Sequence, residues 1–463
     1  MADLAKLVKA YDVRGIVPDQ LNDDVARAIG TAFVETLRLR GEPVERVVVA
    51  YDMRASSPGL AAAFAAGATA AGAEVVDAGL ASTDLLYYAS GSLDLPGAMF
   101  TASHNPARYN GIKLCRRGAK PVGQDSGLTE IRDRAQQLLD GAAPARAAEP
   151  GQVVRRDLLG EYAAHLRTLV DLSRIRRLKV VVDAGNGMAG HTVPAVLGDA
   201  VLPPLPLEIV PLYFELDGTF PNHEANPLEP ANLVDLQKTV REQDADLGLA
   251  FDGDADRCFV VDANGDPVSP SAVTALVAVR ELARHPGGMI IHNLITSSAV
   301  PEIVAEHGGV PVRTRVGHSF IKGEMARTGA IFGGEHSAHY YFRDFWGADT
   351  GMLAAMHVLA ALGEQDQPLS RLAARFVRYA ASGEINSTVT DQQAKLAEVE
   401  SAFAGTAGAQ VDHLDGLTVR FPDDAWVNLR PSNTEPLLRL NVEARDHGRM
   451  AALRDEVLGI VRA

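Results

Sequence analysis

The sequence predicts an α/β fold of four domains around a central cleft: three similar mixed, mainly parallel α/β sandwich domains, then a C-terminal α+β domain. Three observations carry that expectation. A chain of 463 residues is longer than one hydrophobic core can serve, and its length suggests about three or four domains. Its apolar runs repeat loosely three times in the order strand, helix, strand, helix, strand, the pattern of a mainly parallel sheet with helices on its faces. Beyond about residue 380 the order changes to strand, helix, three strands and helix.

In the first repeat the strands fall at 46–50, 74–77 and 97–100, with an Ala-rich helix over 58–72. The second has strands at 179–183, 208–212 and 247–251, with a helix over about 233–242. The third has strands at 288–292, 310–312 and 330–332, with a helix over about 298–307. A Pro/Ala/Gly stretch at 141–151 lacks periodicity and reads as a linker, followed by an amphipathic helix over 158–170. A weaker break at 365–368 precedes a helix expected over 369–379. The last strands are expected at 417–421, 426–429 and 437–442. The domains are accordingly drawn at 1–150, 151–262, 263–368 and 369–463. Asn264-Gly265 is a tight hairpin signal, so the strand before it should turn back antiparallel.

Hydrophobic residues make up 47% of the chain and charged residues 22%, as in an ordinary globular protein. The start, Met1-Ala-Asp-Leu-Ala-Lys, lacks the basic and apolar regions of a signal peptide, and no run reaches membrane-spanning length. A cytoplasmic location is expected. A net charge of −15 argues against nucleic acid or an anionic membrane as partner. It leaves a small anionic substrate open, because only the local charge of a pocket then matters. Cys115 and Cys258 lie in separate apolar runs and read as buried thiols.

In each repeat the third strand runs into a polar loop, and loops at the carboxyl ends of parallel strands are where such folds hold ligands. Asp252-Gly-Asp254-Ala-Asp256-Arg257 sets three carboxylates between two apolar strands. Alternate side chains of a flat strand lie roughly 7 Å apart, so sharing one cation requires the backbone to curl, which Gly253 and Ala255 permit. Three hard oxygen donors suit Mg²⁺ or Mn²⁺, admit Ca²⁺ and disfavour Zn²⁺. An EF-hand is excluded, because its sixth position is Arg257 and its twelfth Ala263. The competing reading is an acidic surface turn, against which like charges this close repel without a cation. Arg257 suits an anion clamp beside the metal.

Thr101-Ala-Ser103-His104-Asn105-Pro106 is equally a helix N-cap or a nucleophile loop. No Gly-x-Ser-x-Gly elbow is present, and Lys113 is the nearest basic partner downstream. Gly333-Gly-Glu335-His336-Ser337-Ala-His339 lacks the His-Glu-x-x-His register of zinc sites and fits a grip on sugar hydroxyls better. Arg430-Pro-Ser432-Asn433-Thr434-Glu-Pro436 offers the parts of a phosphate cradle or of an ordinary Pro-bounded turn. Gly185-Asn-Gly187-Met-Ala-Gly190 matches the dinucleotide fingerprint, but Pro194 falls in the following helix, and we read it as a tight strand-to-helix turn. His318 is a ligand candidate at a strand end, and His292 reads as structural.

In order, and across nearly the whole chain, these four loops resemble those of the α-D-phosphohexomutase superfamily. Asn433 and His336 favour its phosphomannomutase/phosphoglucomutase branch over phosphoglucosamine mutase. The resemblance implies a heart-shaped four-domain isomerase, an intramolecular phosphotransferase. It would interconvert hexose 6-phosphate and hexose 1-phosphate, of mannose and also glucose, through a phosphoserine and a hexose 1,6-bisphosphate that is both intermediate and activator. It makes Ser103 the phosphorylated residue and gives Mg²⁺ to Asp252, Asp254 and Asp256 together with a phosphoryl oxygen on Ser103. Lys113, Arg14, Arg257, His104 and His339 become catalytic, and Tyr11, His318, Glu335, Ser337, Arg430, Ser432, Asn433 and Thr434 bind substrate. Family members often carry a lysine after the third domain's first strand, where this chain has Asn293-Leu-Ile-Thr296. The partners implied are small-molecule hexose phosphates, with no nucleic acid and no membrane, for a monomer or weak homodimer. Phosphoglucosamine mutase and a metal-dependent sugar phosphatase are the alternatives in a related chemistry, and a nicotinamide oxidoreductase or a non-catalytic sugar-phosphate binder the alternatives from other classes.

Overall fold

The computed structural model describes residues 3–9, 11–145, 147, 149–432 and 437–463, with the main chain alone at His318 and Ser319. Three of its sheets share one topology. In each, the first strand of the repeat lies between the second and third, all parallel, and a fourth strand returns antiparallel beside the third. The spatial orders are Glu74–Leu80, Arg46–Tyr51, Gly97–Phe100, Tyr109–Arg116; then Leu207–Leu212, Leu178–Asp183, Leu247–Phe251, Cys258–Asp262; then Val310–Thr314, Met289–Asn293, Phe332–Gly334, Tyr340–Phe342. The loops at 101–108, 252–257 and 335–339 therefore occupy the same place in each unit, where a parallel strand ends and an antiparallel one begins. Strands covered by helices on both faces must be apolar throughout, and Leu247–Phe251 is buried at every position.

The first sheet continues with Val153–Arg155, paired parallel to Glu74–Leu80 beyond the 141–151 linker. Pro267–Val268 returns antiparallel on Cys258–Asp262, with Gly265 at φ +83° in the turn, as the Asn-Gly signal implied. The fourth sheet is antiparallel throughout and sets Leu437–Ala444 between Ala380–Ala381 and Trp426–Pro431. It carries the helices Gln392–Phe403 and His447–Val461.

The helix expected over 369–379 stops at Ala374. Arg378 is pulled across a neighbouring helix by Glu302 and Glu306, at 3.0 and 2.7 Å, and the Tyr379 hydroxyl also bonds Glu302. These contacts hold the connector extended into Ala380–Ala381. Among the described residues no helix is long and apolar enough to cross a membrane. Both cysteines are free and buried.

One apolar cluster runs unbroken through the first three units, from Val48 and Leu86 through Val180 and Leu249 to Leu276 and Phe332. The C-terminal sheet has its own, around Val399, Leu429, Leu440 and Val457. Where the first three units meet, buried Asp84 accepts from Tyr162 and Thr350, each at 2.7 Å, and from Ser82. Trp346 lies against the rings of Tyr88 and His165 at the same junction. Trp426 is 2% exposed on the C-terminal sheet, and its indole N–H donates to Ser298 Oγ at 3.0 Å and Glu443 Oε1 at 2.8 Å.

Candidate active site

No helix follows Pro106. The loop turns directly into Tyr109–Arg116, so neither Ser103 nor Asn105 caps a helix. Ser103 instead has φ +49°, a left-handed conformation that costs a non-glycine residue about 1 kcal/mol or more. Its surroundings impose it. Thr101 Oγ1 accepts the Ser103 N–H at 2.9 Å, and the buried guanidinium of Arg54 donates to the carbonyls of Ser103, Asn105, Pro106 and Tyr109 at 2.7–3.1 Å. Arg14 donates to the Ala102 carbonyl at 2.8 Å and also bonds Asn105 Oδ1 and Asp12. So held, Ser103 Oγ donates to Asp252 Oδ2 at 2.8 Å, and His104 Nδ1 lies 3.1 Å from the same hydroxyl.

The acidic loop curls as its spacing required, with Ala255 at φ +60° and its N–H bonded to the Asp252 carbonyl. One oxygen from each of Asp252, Asp254 and Asp256 falls within 4.8 Å of the others. All three residues are at most 1% exposed, and among the described residues Asp254 Oδ1 and Asp256 Oδ1 have no hydrogen-bond partner. Bare buried carboxylate oxygens are costly. Three hard donors converging with two of them unsatisfied fit a divalent cation. Burial, reinforced by Asp256 and Asp254, outweighs Arg257 and lifts the Asp252 carboxyl to about 7. At Asp254 burial pulls the same way, but the Lys113 ammonium and the Thr83 hydroxyl prevail and hold it below the usual carboxylate range. Lys113 Nζ bridges Asp254 and Asp256 at 2.7 and 2.6 Å, and Arg257 Nε meets Asp252 Oδ2 at 3.0 Å.

The acidic loop is pressed between two neighbours. A Cβ at Gly253 would come 2.4 Å from the Ser103 carbonyl oxygen, and one at Gly187 2.7 Å from the Gly253 oxygen. The Gly185–Gly190 turn is thus filled by Gly253, whose carbonyl accepts the Met188 N–H at 2.9 Å, rather than open to a pyrophosphate.

The third loop joins the second through a β-bridge between Arg257 and His339. Glu335 accepts from the Gly317 N–H at 3.1 Å and the Tyr341 hydroxyl at 2.7 Å, with Asn293 Nδ2 at 3.4 Å. Ser337 Oγ lies 2.9 Å from His339 Nδ1, and His339 Nε2 lies 3.7 Å from Asp256 Oδ1. Tyr11 faces this group: burial first, then Asp12 and Glu335, raise its hydroxyl pKa above the usual range. Inside the cleft, desolvation first and then the cations Arg257 and Arg14 hold the His104 imidazole well below the ordinary histidine range. His292 is 5% exposed, and burial lowers it to about 4, as befits a packed ring.

Ser103, His104, Lys113, Arg14, Tyr11, Arg257, the three aspartates, Glu335, Ser337 and His339 therefore come together. Arg430 and Ser432 stand apart on the C-terminal sheet, where Arg430 meets Glu384 at 2.7 Å. His336, beside Glu335, is within electrostatic reach of that pair: burial first lowers its pKa, Glu384 raises it and Arg430 lowers it. Asn433 and Thr434 lie outside the described residues, and His318 is described only as the first residue of the helix His318–Thr328. Sequence reasoning missed Arg54 and Thr83. Arg54 sits in Asp52-Met-Arg54, at the carboxyl end of a parallel strand, where the rule that found the other loops applies equally.

A serine hydroxyl on a buried acidic trio, within three like domains and a fourth of different build, is the equipment of a phosphoryl-transfer enzyme. The four successive domains match, over residues 5–140, 160–265, 269–379 and 384–460, the alpha/beta/alpha domains I, II and III and the C-terminal domain of phosphoglucomutase/phosphomannomutase. The chain belongs to the phosphoglucomutase/phosphomannomutase family. It is 41% identical over 458 residues to a protein of Xanthomonas campestris pv. campestris named for phosphohexose mutases, and 39% identical over 459 residues to a phosphomannomutase of Escherichia coli, with 98% of each chain covered in both. A crystal structure of a phosphoglucomutase/phosphomannomutase family protein from Burkholderia thailandensis superposes with a TM-score of 0.88 at 33% identity, covering 100% of this chain and 98% of the other.

Proposed function

We propose that the enzyme moves a phosphoryl group between O6 and O1 of a hexose phosphate, with mannose 6-phosphate and mannose 1-phosphate as the preferred pair and glucose phosphates also accepted. The observation that carries this reading is the 2.8 Å hydrogen bond from Ser103 Oγ to Asp252 Oδ2, which joins a hydroxyl of the first domain to the acidic trio of the second. In the resting active form Ser103 is phosphorylated. The free sugar hydroxyl attacks that phosphorus, the Ser103 Oγ–P bond breaks as the sugar O–P bond forms, and the sugar hydroxyl's proton ends on the freed Ser103 Oγ. The bisphosphate turns round, and its other phosphoryl group returns to Ser103. Asp252, Asp254 and Asp256 would hold Mg²⁺, which supplies Lewis-acid neutralisation of charge on the transferring group. Arg257 takes up charge on the same group, and Lys113 holds positive charge beside the trio. His104, neutral at physiological pH, is in reach of the serine oxygen to hold its proton, and His339 stands on the opposite side. Glu335 and Ser337 orient sugar hydroxyls, Tyr11 and His318 bind substrate, and Arg14 acts in catalysis by holding the Ser103 loop through Ala102 and Asn105; Arg430, Ser432, Asn433 and Thr434 hold the phosphate that is not reacting.

Reorientation requires that last grip to move, so the fourth domain acts as a lid; the expected bounds 369–463 take in Leu369 and Leu372, which pack into the cluster of the first three units, so the moving part begins near Ala380. Its separate apolar cluster supports this assignment. The reading describes a cytoplasmic enzyme, a monomer or weak homodimer, acting on free sugar phosphates with hexose 1,6-bisphosphate as activator.

The test is Ser103→Ala. Mutase activity on mannose and glucose 1-phosphates should fall by roughly 10³-fold or more with the thermal unfolding profile intact, and a phosphoryl mass seen on the wild-type chain should disappear. Retained activity would remove the serine from the reaction. Release of inorganic phosphate instead of the isomer would identify a phosphatase.

A further inference from the structure

The third domain holds a second set of metal-ligating side chains, which the reaction does not use. Glu281 lies in the last turn of the helix Pro270–Arg284, and His285 caps that helix, its N–H donating to the Glu281 carbonyl at 2.8 Å. Residues four apart share a helix face, so the two side chains lie together. Asp344 reaches them from the short turn Arg343–Phe345, and His357 from the middle of the helix Gly351–Gly363. One ligand atom from each of Glu281, His285 and Asp344 falls within 4.8 Å of the others. The set sits where Tyr340–Phe342 ends and shortly before Met289–Asn293 begins, the edge of the third sheet opposite the 335–339 loop.

His357 is the independent sign of a ligand. It is 2% exposed, and among the described residues neither of its ring nitrogens has a hydrogen-bond partner. Its Nε2 stands 3.6 Å from Glu281 Oε1, too far for the hydrogen bond that a protonated nitrogen would make there. Burial first, then Arg280 and Arg284, lower its pKa to about 3, so the ring is neutral and forms no ion pair with Glu281. A buried imidazole left without partners is costly. A neutral ring nitrogen with a free lone pair is also what a transition metal binds. The spacing agrees, because donors about 2.0–2.1 Å from a tetrahedral ion lie about 3.3–3.4 Å from one another. His285 Nε2 is 3.3 Å from Asp344 Oδ2, and His357 Nε2 3.6 Å from Glu281 Oε1. Two imidazoles with two carboxylates suit Zn²⁺, disfavour Mg²⁺ and balance the charge of the ion. We propose that Glu281, His285, Asp344 and His357 form a structural Zn²⁺ site that ties the two helices and the turn together. Two guanidiniums stand in for the ion. Arg284 Nη1 meets Glu281 Oε1 at 3.0 Å, and Arg343 Nη2 lies 3.0 Å from Asp344 Oδ1 and 3.1 Å from His285 Nε2. Both side chains are 42% exposed, pairs of that kind contribute little, and both arginines swing to solvent when the ion enters.

The experiment titrates Zn²⁺ into the chelator-stripped, full-length enzyme with Mg²⁺ in excess, and follows binding and the unfolding temperature by calorimetry. It compares the wild type with His285→Ala, Arg343→Gln and Asp254→Asn. The wild type should take up one Zn²⁺ outside the acidic trio and unfold a few degrees higher with it. His285→Ala should bind that ion at least about tenfold more weakly, since even the groups behind a metal ligand contribute that much, and its mutase activity in Mg²⁺ should be unchanged. Arg343→Gln should bind the ion several-fold more tightly, because an internal competitor is gone, and Asp254→Asn should keep it. Equal affinity in the wild type and His285→Ala would overturn the proposal. Loss of the ion in Asp254→Asn would overturn it too, by assigning the Zn²⁺ to the trio. Equal or weaker binding in Arg343→Gln would overturn the part given to that arginine. If His285→Ala does not fold, His285→Asn decides by the same comparison.

Discussion

At Ser103 the placement of the hydroxyl depends on a backbone that serine does not choose for itself. The left-handed φ is held from below by Arg54, one guanidinium serving four carbonyls, and from the side by Gly253, which has no Cβ to strike the Ser103 oxygen. Gly253→Ala should therefore fold yet lose roughly 10²-fold in kcat, because a displacement near 1 Å at a reacting group costs about that much. Wild-type kinetics from this variant would show that the two loops are not in the contact described. That Ser103, the aspartates and Glu335 would share one site was legible in the sequence, because they sit in loops whose chemistry is dense. Arg54 was not, since a guanidinium that bonds only backbone carbonyls leaves no pattern of spacing. The choice between nucleophile and N-cap at Ser103 was illegible for a related reason. It turned on whether a helix followed Pro106, and the chain enters a strand there instead.

Elements aim these residues as much as loops do. The helix Thr83–Leu93 abuts the acidic loop at its amino end, where the Thr83 N–H donates to the Asp254 carbonyl at 3.0 Å and its hydroxyl to Asp254 Oδ2 at 2.5 Å. Groups that orient a metal ligand typically contribute 10–100-fold to metal affinity. Thr83→Val should weaken Mn²⁺ binding to the dephosphorylated enzyme by about that factor, read by titration, while leaving the fold intact; unchanged affinity would mean that Asp254 is aimed by Lys113 alone. Strand order was readable because parallel strands covered on both faces are apolar runs, and three of them recurred with the same punctuation. The end of the helix Leu369–Ala374 was not. Intrinsic preferences carry it on to Tyr379, whereas Arg378 and Tyr379 are claimed by Glu302 and Glu306 from a distant part of the chain.

Across the whole molecule the first three units share an interior, the fourth has its own and meets the third at Leu294, Ile295 and Trp426, and the junction of the three has a titrating centre. Burial, against the hydroxyls of Ser82, Thr350 and Tyr162, raises the Asp84 carboxyl to about 6. A folded-state value above the unfolded one means that the native protein binds the proton more tightly, so stability falls as pH rises from about 4 to about 6 and levels off above. The whole effect is about 3 kcal/mol. Relative to Asp84→Asn, the wild-type enzyme should lose unfolding temperature over that window, and calorimetry at pH 4, 5, 6 and 7 would reveal it; parallel curves would mean that Asp84 stays ionised. Three domains of one topology and a fourth of another could be read from the sequence because repetition is a long-range pattern. The hydroxyl cage of Asp84 could not, since its members come from three distant segments with nothing local in common.

The only two tryptophans fall on opposite sides of the division between shared and separate interiors. Trp346 is locked at the three-domain junction, whereas Trp426 reaches from the C-terminal domain to Ser298 of the third. Evolution has in effect installed a fluorescent gauge of hinge position together with its internal standard. With Trp346→Phe leaving a single emitter, a hexose phosphate that swings the domain should shift the emission maximum as the indole loses its serine, and stopped-flow records would then time the opening stroke directly. A spectrum indifferent to saturating ligand would mean that the hinge turns about that indole without disturbing it.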